Sequence, residues 1–158
     1  MSRIDPEQLE KLMESHGAAL VLYARQWCNS PDDAVQEALI ELIHCREVPE
    51  YTVAWLFKVT RYRAINIARS EKRRKDHHHR AAELTEPWFV PKEENHKLSE
   101  LSGLIENLPP DEREVVVAKV WGGLTFEQIA ELNGSSSSST HRLYHKALKT
   151  LARAILNT

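Results

Sequence analysis

The sequence predicts an all-α protein, folded as two small helical domains on a linker. Three observations predict it. Apolar residues recur at helical spacing, while glycine is scarce and β-branched alternation is absent. Helix-opening pairs, Asp5-Pro6 and Ser30-Pro31, stand where the apolar patterning begins. A polar stretch containing Pro87 and Pro91 separates the two patterned halves. The expected boundaries are a domain over residues 5–76, a linker over 77–95 and a domain over 96–158.

The first helix begins with Asp5 as cap and Pro6 at the first position. Leu9, Leu12, Met13, Ala19, Leu20, Tyr23 and Trp27 supply its apolar face. Ser30-Pro31 opens the second helix in the same way. Ala34, Val35, Ala38, Leu39, Leu42 and Ile43 are expected inside, with Asp33, Gln36, Glu37 and Glu41 outside. Pro49 breaks the chain, and Thr52 is expected to cap a third helix running to about Lys75. Along it lie Trp55, Lys58, Arg61, Tyr62, Arg63, Asn66, Arg69 and the basic run Lys72 to Lys75. Cations interleaved with aromatics suit a single-stranded nucleic acid, whose bases stack while its backbone is neutralised.

His77-His78-His79 opens the linker. Adjacent histidines diverge on a helix and no nearby cysteine completes a site, so a solvated turn is expected rather than a metal site. Trp88, Phe89 and Val90 are apolar within it. Leu98, Leu101, Leu104, Ile105 and Leu108 then form one stripe. Pro109-Pro110-Asp111-Glu112 opens a helix with acids in its first turn, as the helix dipole favours. Val115, Val116, Val117, Val120 and Trp121 are expected to pack it, and Gly122-Gly123 to end it.

The last quarter of the chain reads as a helix-turn-helix. Thr125 and Gln128 form a capping box. Ile129, Ala130 and Leu132 face inward, Asn133-Gly134 turns the chain through positive φ, and a serine near Ser136 caps the second helix. Leu143, Ala147, Leu148 and Leu151 give that helix a buried stripe. His141, Arg142, His145, Lys146 and Lys149 form its opposite face. From Ser135 onward the chain carries Arg142, Lys146, Lys149 and Arg153 and no acid. Such a face neutralises phosphates, Arg142 reaches a guanine edge, and the serine run offers hydroxyls to the backbone. Ser135 and Thr140 stand where most such motifs place aliphatic residues, which predicts looser packing of the second helix.

The net charge of −2 conceals a strong segregation. Residues 5–50 hold ten acids and three bases, residues 58–80 nine bases and two acids, and residues 81–114 nine acids and three bases. Alternating blocks fit a protein that joins DNA to a second, basic partner. No apolar run spans a membrane and no signal peptide is legible, so a cytoplasmic protein is expected, with no membrane insertion. Cys28 and Cys45 read as reduced thiols rather than as a disulfide or zinc pair. No cofactor is expected. None of the phosphate-loop, dinucleotide, nucleophile-elbow or zinc-protease motifs is present, so the chain is not read as an enzyme.

Three motifs carry a family resemblance: D-A-V-Q-E-A-L at Asp33–Leu39, W-L-F-K-V-T-R-Y-R-A-I-N at Trp55–Asn66, and L-P-P-D-E-R-E-V-V at Leu108–Val116 followed by the helix-turn-helix. In this order, over about residues 8–153, the chain resembles a bacterial RNA polymerase sigma factor of the sigma-70 family. It is similar to the compact extracytoplasmic-function (ECF) type, which keeps only regions 2 and 4. The resemblance implies transcription initiation by an RNA polymerase core directed to specific promoters. It puts Asp33, Gln36, Glu37 and Glu41 on the β′ clamp helices of the core. It puts Trp55, Lys58, Arg61, Tyr62, Arg63 and Asn66 on the melted −10 element. It puts Ser137, Ser138, Ser139, His141, Arg142, His145 and Lys146 on the −35 duplex. The β flap and an anti-sigma factor are further partners it implies. Tyr62 stands where the family usually has Asn, and Leu143 where it often has Arg, so the promoter sequence does not transfer. A stand-alone helix-turn-helix regulator with an N-terminal sensing or dimerisation domain is the alternative from the residues alone. It leaves the Trp55–Lys75 stretch unexplained.

Overall fold

The computed structural model describes residues 2–77 and 103–157, and every regular element among them is helical. They fall into two compact units, one within residues 1–90 and one within residues 91–158.

The first unit is a bundle of α1 (Pro6–Ala24), α2 (Pro31–His44) and α3 (Thr52–His77), each packed on the other two. Asp5 accepts from the Gln8 amide at 2.8 Å while the Gln8 side chain accepts from the Asp5 amide at 3.1 Å, a complete capping box. Pro31 opens α2, with Asp32 and Asp33 in its first turn. Tyr23, Leu20, Val35, Leu42, Leu56 and Phe57 are fully buried between the helices. The rings of Tyr23 and Phe57 meet edge-on, 4.9 Å apart, and Trp27 also meets Tyr23 edge-on at 4.9 Å.

Four expectations fail here. Ser30 makes no side-chain capping hydrogen bond, so α2 opens on Pro31 without the serine cap. Trp27 lies beyond the end of α1, in the turn that follows, and is half-buried. Ile43 is 43% exposed, because α2 turns that position away from α1 and α3. Thr52 begins α3 rather than capping it: its hydroxyl donates to the Pro49 carbonyl at 2.8 Å, and the Trp55 amide bonds instead to the Tyr51 carbonyl. Both cysteines are free thiols. Cys28 is buried beside Ala24, Ala34 and Ala64, and burial pushes its pKa up to about 11.

His16, on α1, gives an acid-stability prediction. Its Nδ1 is buried with no hydrogen-bond partner among the described residues, and burial holds its pKa below the ordinary 6.5. Below that value the unfolded chain takes up a proton that the folded chain resists, so the site's contribution is lost as pH falls. Replacing His16 by Gln removes that proton uptake. The acid-unfolding midpoint, followed by circular dichroism, is expected to move to lower pH. A midpoint at or above that of the parent chain contradicts the assignment.

In the second unit residues 103–106 are helical and are followed by α4 (Pro110–Val116), a π-helical turn (Val117–Trp121), α5 (Phe126–Asn133) and α6 (Ser137–Leu156). Ile105, Leu108, Val115, Val116, Val117, Leu124, Ile129 and Ala147 are its buried core. Trp121, Tyr144 and Leu151 pack partly against it. The wider turn closes with the Gly122 amide on the Val117 carbonyl at 3.1 Å, five residues back. One extra residue per turn rotates Val120 outward, to 49% exposure, so it does not pack the helix as its spacing suggested. Gly123, at φ +67°, then turns the chain. Leu98 and Leu101 lie outside the described residues, as do His78, His79 and Trp88 to Val90.

Candidate nucleic-acid interface

Local chemistry builds the α5–α6 corner. Thr125 accepts from the Gln128 amide at 3.1 Å, and the Gln128 side chain accepts from the Thr125 amide at 2.9 Å. Of the Asn133-Gly134 pair, Gly134 takes the left-handed conformation, at φ +69°, and Asn133 stays helical. Ser136 caps α6, accepting from the Ser139 amide at 3.1 Å.

Ser135 and Thr140 do not loosen this corner. Thr140 is fully buried, and its hydroxyl donates to the Ser136 carbonyl at 2.9 Å. The Ser135 hydroxyl lies 3.0 Å from it and also donates to Asn133 Oδ1. Each hydroxyl proton therefore has a nearby acceptor where aliphatic residues were expected. Thr140→Val should cost less than about 1 kcal/mol in urea unfolding, because both former partners keep another hydrogen bond. The Ser136 carbonyl still accepts from the residue-140 amide at 3.0 Å. A loss above about 2 kcal/mol would show that the hydroxyl network itself holds the corner.

The α6 residues singled out in the sequence share one face. Ser137, Ser138, His141, Arg142, His145 and Lys146 are exposed, and Lys149 and Arg153 continue the same stripe. Ser139 is half-buried at the edge of this face, its hydroxyl accepting from Ser136 at 2.9 Å and lying 3.4 Å from the Arg142 guanidinium. His141 packs edge-on against Phe126, with centroids 5.0 Å apart. The Nε2 atoms of His141 and His145 are 3.1 Å apart. Lys146 Nζ is 3.8 Å from Glu112 Oε1, a carboxylate only 3% exposed in the first turn of α4. Glu112 was legible only as a first-turn acid. Its pairing with Lys146 follows from the packing of α4 on α6, for which the sequence carries no signal.

On α3 the six residues do not share one face. At about 100° per residue, Trp55, Lys58, Tyr62 and Asn66 fall in one stripe, and Arg61 and Arg63 flank it on opposite sides. Tyr62 is 62% exposed, whereas Trp55 and Asn66 are half-buried. The Arg61 guanidinium lies over the Trp27 ring, 5.1 Å from its centroid. Arg63 reaches across to α2, its guanidinium 2.9 Å from Glu41, and this hydrogen bond raises its pKa.

On α2, Asp33, Gln36 and Glu37 are exposed, with Ile40 between them at 45% exposure. Ile40 is an apolar centre in an acidic face, which the sequence reading missed. The i, i+3, i+4, i+7 run from Asp33 was the available signal. Glu41 sits at the flank, turned toward Arg63. Among the described residues no group of three or more histidines, cysteines or carboxylates is arranged to hold a metal ion. Nor is any helix among them long and apolar enough to cross a membrane.

The chain matches the family model for sigma-70 region 4 over residues 98–151. It is similar to the ECF RNA polymerase sigma factor SigD of Mycobacterium tuberculosis, at 25% identity across 96% of this chain and 79% of the relative. It is also similar to the RNA polymerase sigma factor SigV of Bacillus subtilis, at 24% identity across 75% of this chain and 72% of the relative. Among solved structures, the sigma factor RpoE from Bartonella quintana, in complex with the anti-sigma factor NepR, shares the fold with a TM-score of 0.64. That likeness covers 96% of this chain and 98% of the other at 16% identity. CnrH, solved with the cytosolic domain of CnrY, is similar with a TM-score of 0.59 at 20% identity, over 97% and 90% of the two chains.

Proposed function

We propose that this chain, which belongs to the sigma-70 family in its compact ECF type, is a promoter-specificity subunit of RNA polymerase. The observation that carries the reading is the acid-free stripe on α6, from Ser138 through Arg142 to Lys149, exposed along one face of a capped helix-turn-helix. A helix so placed enters a major groove with its N-terminal residues against base edges and its cations on phosphates.

In this reading residues 5–76 act as the region 2-like domain, 77–95 as the linker and 96–158 as the region 4-like domain. Arg142 reads a base edge of the −35 element. Ser137, Ser138, His141, His145 and Lys146 hold the register on the backbone. The Trp55, Lys58, Tyr62 and Asn66 stripe takes the unpaired −10 strand, Tyr62 as the stacking platform and Lys58 on phosphate. Arg61 and Arg63 support it from the two flanks. Asp33, Gln36, Glu37 and Ile40 meet the core polymerase, an apolar centre rimmed by acids. Because Glu41 holds Arg63 in the free chain, core contact at Glu41 and DNA contact at Arg63 draw on one ion pair. Binding free energy drives promoter opening, and the chain does no covalent chemistry. An anti-sigma factor is a further partner, as in the RpoE complex.

Transcription from genomic fragments tests the reading. Core polymerase with this chain is expected to give discrete promoter-specific transcripts that core alone does not give. The absence of a specific transcript on every fragment overturns it. Tight binding to a duplex without core enzyme, in a gel shift, favours the stand-alone regulator instead.

A further inference from the structure

The exposed edge of α6 carries two histidines one helical turn apart, and their geometry is that of a chelate. The ring centroids of His141 and His145 are 4.3 Å apart, and their Nε2 atoms 3.1 Å apart. With metal–imidazole bonds of about 2.0–2.1 Å, that separation corresponds to an angle at the ion of about 95–102°, between octahedral and tetrahedral values. Neither ring is loose. His141 lies edge-on to Phe126, and His145 edge-on to Tyr144 with centroids 5.6 Å apart. Both side chains are exposed, so an ion reaches them from solvent.

We propose that His141 and His145 form a two-imidazole site for a transition-metal dication such as Zn2+ on the outer face of α6. Neutral imidazole suits Zn2+, Ni2+ and Cu2+. Mg2+ and Ca2+ require oxygen ligands, and from Ser135 to the C-terminus the chain holds no carboxylate side chain. Arg142, Lys146 and Lys149 flank the pair and oppose any dication electrostatically. The affinity is therefore the modest one of a bare chelate, with water filling the remaining positions. In the free chain the two Nε2 atoms face each other within hydrogen-bond distance. In the occupied site both rings ligate through Nε2, which leaves Nδ1 as the nitrogen that carries the ring proton, so a ring protonated on Nε2 changes tautomer as the ion binds. The site stands whether or not α6 meets DNA. If it does, an ion held there occupies two ring nitrogens that promoter binding would use.

Histidine-ring NMR of the full chain, titrated with Zn2+ alone, tests the site residue by residue. Other histidines, including His77 to His79, then do not obscure it. The resonances of His141 and His145 are expected to move together at one Zn2+ concentration, and not with Mg2+. In His141→Ala, His145 should need at least tenfold more Zn2+ to respond, and in His145→Ala the same should hold for His141. Rings that respond at the parent concentration after the neighbour is removed are independent, and that result overturns the proposal, as does a parent chain in which neither ring moves with Zn2+.

Discussion

Phe57→Ala is expected to remove about 3–5 kcal/mol of stability from the three-helix unit. Phe57 is fully buried on α3, and its ring meets Tyr23 on α1 edge-on. Truncation loses the transfer free energy of the ring and leaves a cavity that neighbouring rings, held edge-to-edge, cannot fill without losing their own contacts. A domain of this size has about 5–15 kcal/mol in total, so the loss is a large share of it. Hydrogen exchange of the α1–α3 amides is the measurement. Protection in all three helices should fall together, because α1, α2 and α3 share one core. Protection within about 0.5 kcal/mol of the parent would mean that the Tyr23–Phe57 contact does not hold the bundle. The functional consequence is indirect: the Trp55, Lys58, Tyr62 and Asn66 stripe exists only while α3 is a docked helix.

Arg142→Ala is expected to weaken binding of the polymerase complex to its preferred duplex by about 1–3 kcal/mol, roughly tenfold to a hundredfold, and to relax sequence choice at one base position. The side chain is exposed and lies 3.4 Å from the Ser139 hydroxyl, so its removal leaves the α6 core untouched. Lys149→Ala separates base reading from charge. It should lower affinity evenly across sequences and reduce the salt slope by about one ion. Competition binding at two salt concentrations, with matched and mismatched duplexes, distinguishes the two. If Arg142→Ala lowered affinity evenly and changed the salt slope like Lys149→Ala, Arg142 would be a phosphate contact and not a reader.

Helix starts were the most legible part of the molecule. The boxes at Asp5–Gln8 and Thr125–Gln128 and the cap at Ser136 close within three residues, so the sequence holds both halves of each bond. The exposed stripe on α6 was legible for a similar reason, since a regular helix converts spacing directly into direction. Spacing misled where the helix was irregular or crowded. Val120 points outward because a π turn adds a residue, and nothing in V-V-V-A-K-V-W announces that turn. Thr140 was read as a packing defect. It is instead the centre of a polar cluster, its hydroxyl donating one turn back to the Ser136 carbonyl and lying beside that of Ser135, and apolar spacing does not register such bonds.

What the sequence determined by itself is where most of the described helices lie, the capping bonds at Asp5, Thr125 and Ser136, and the sign of charge along each helix, because these depend on neighbours a few residues apart. Only the tertiary structure decided which charges stand free and which are engaged. Arg63 is taken by Glu41 on another helix, Lys146 by Glu112, and Arg61 lies over Trp27. Such pairings are set by how helices pack side by side, and a partner's distance along the chain says nothing about its distance in space.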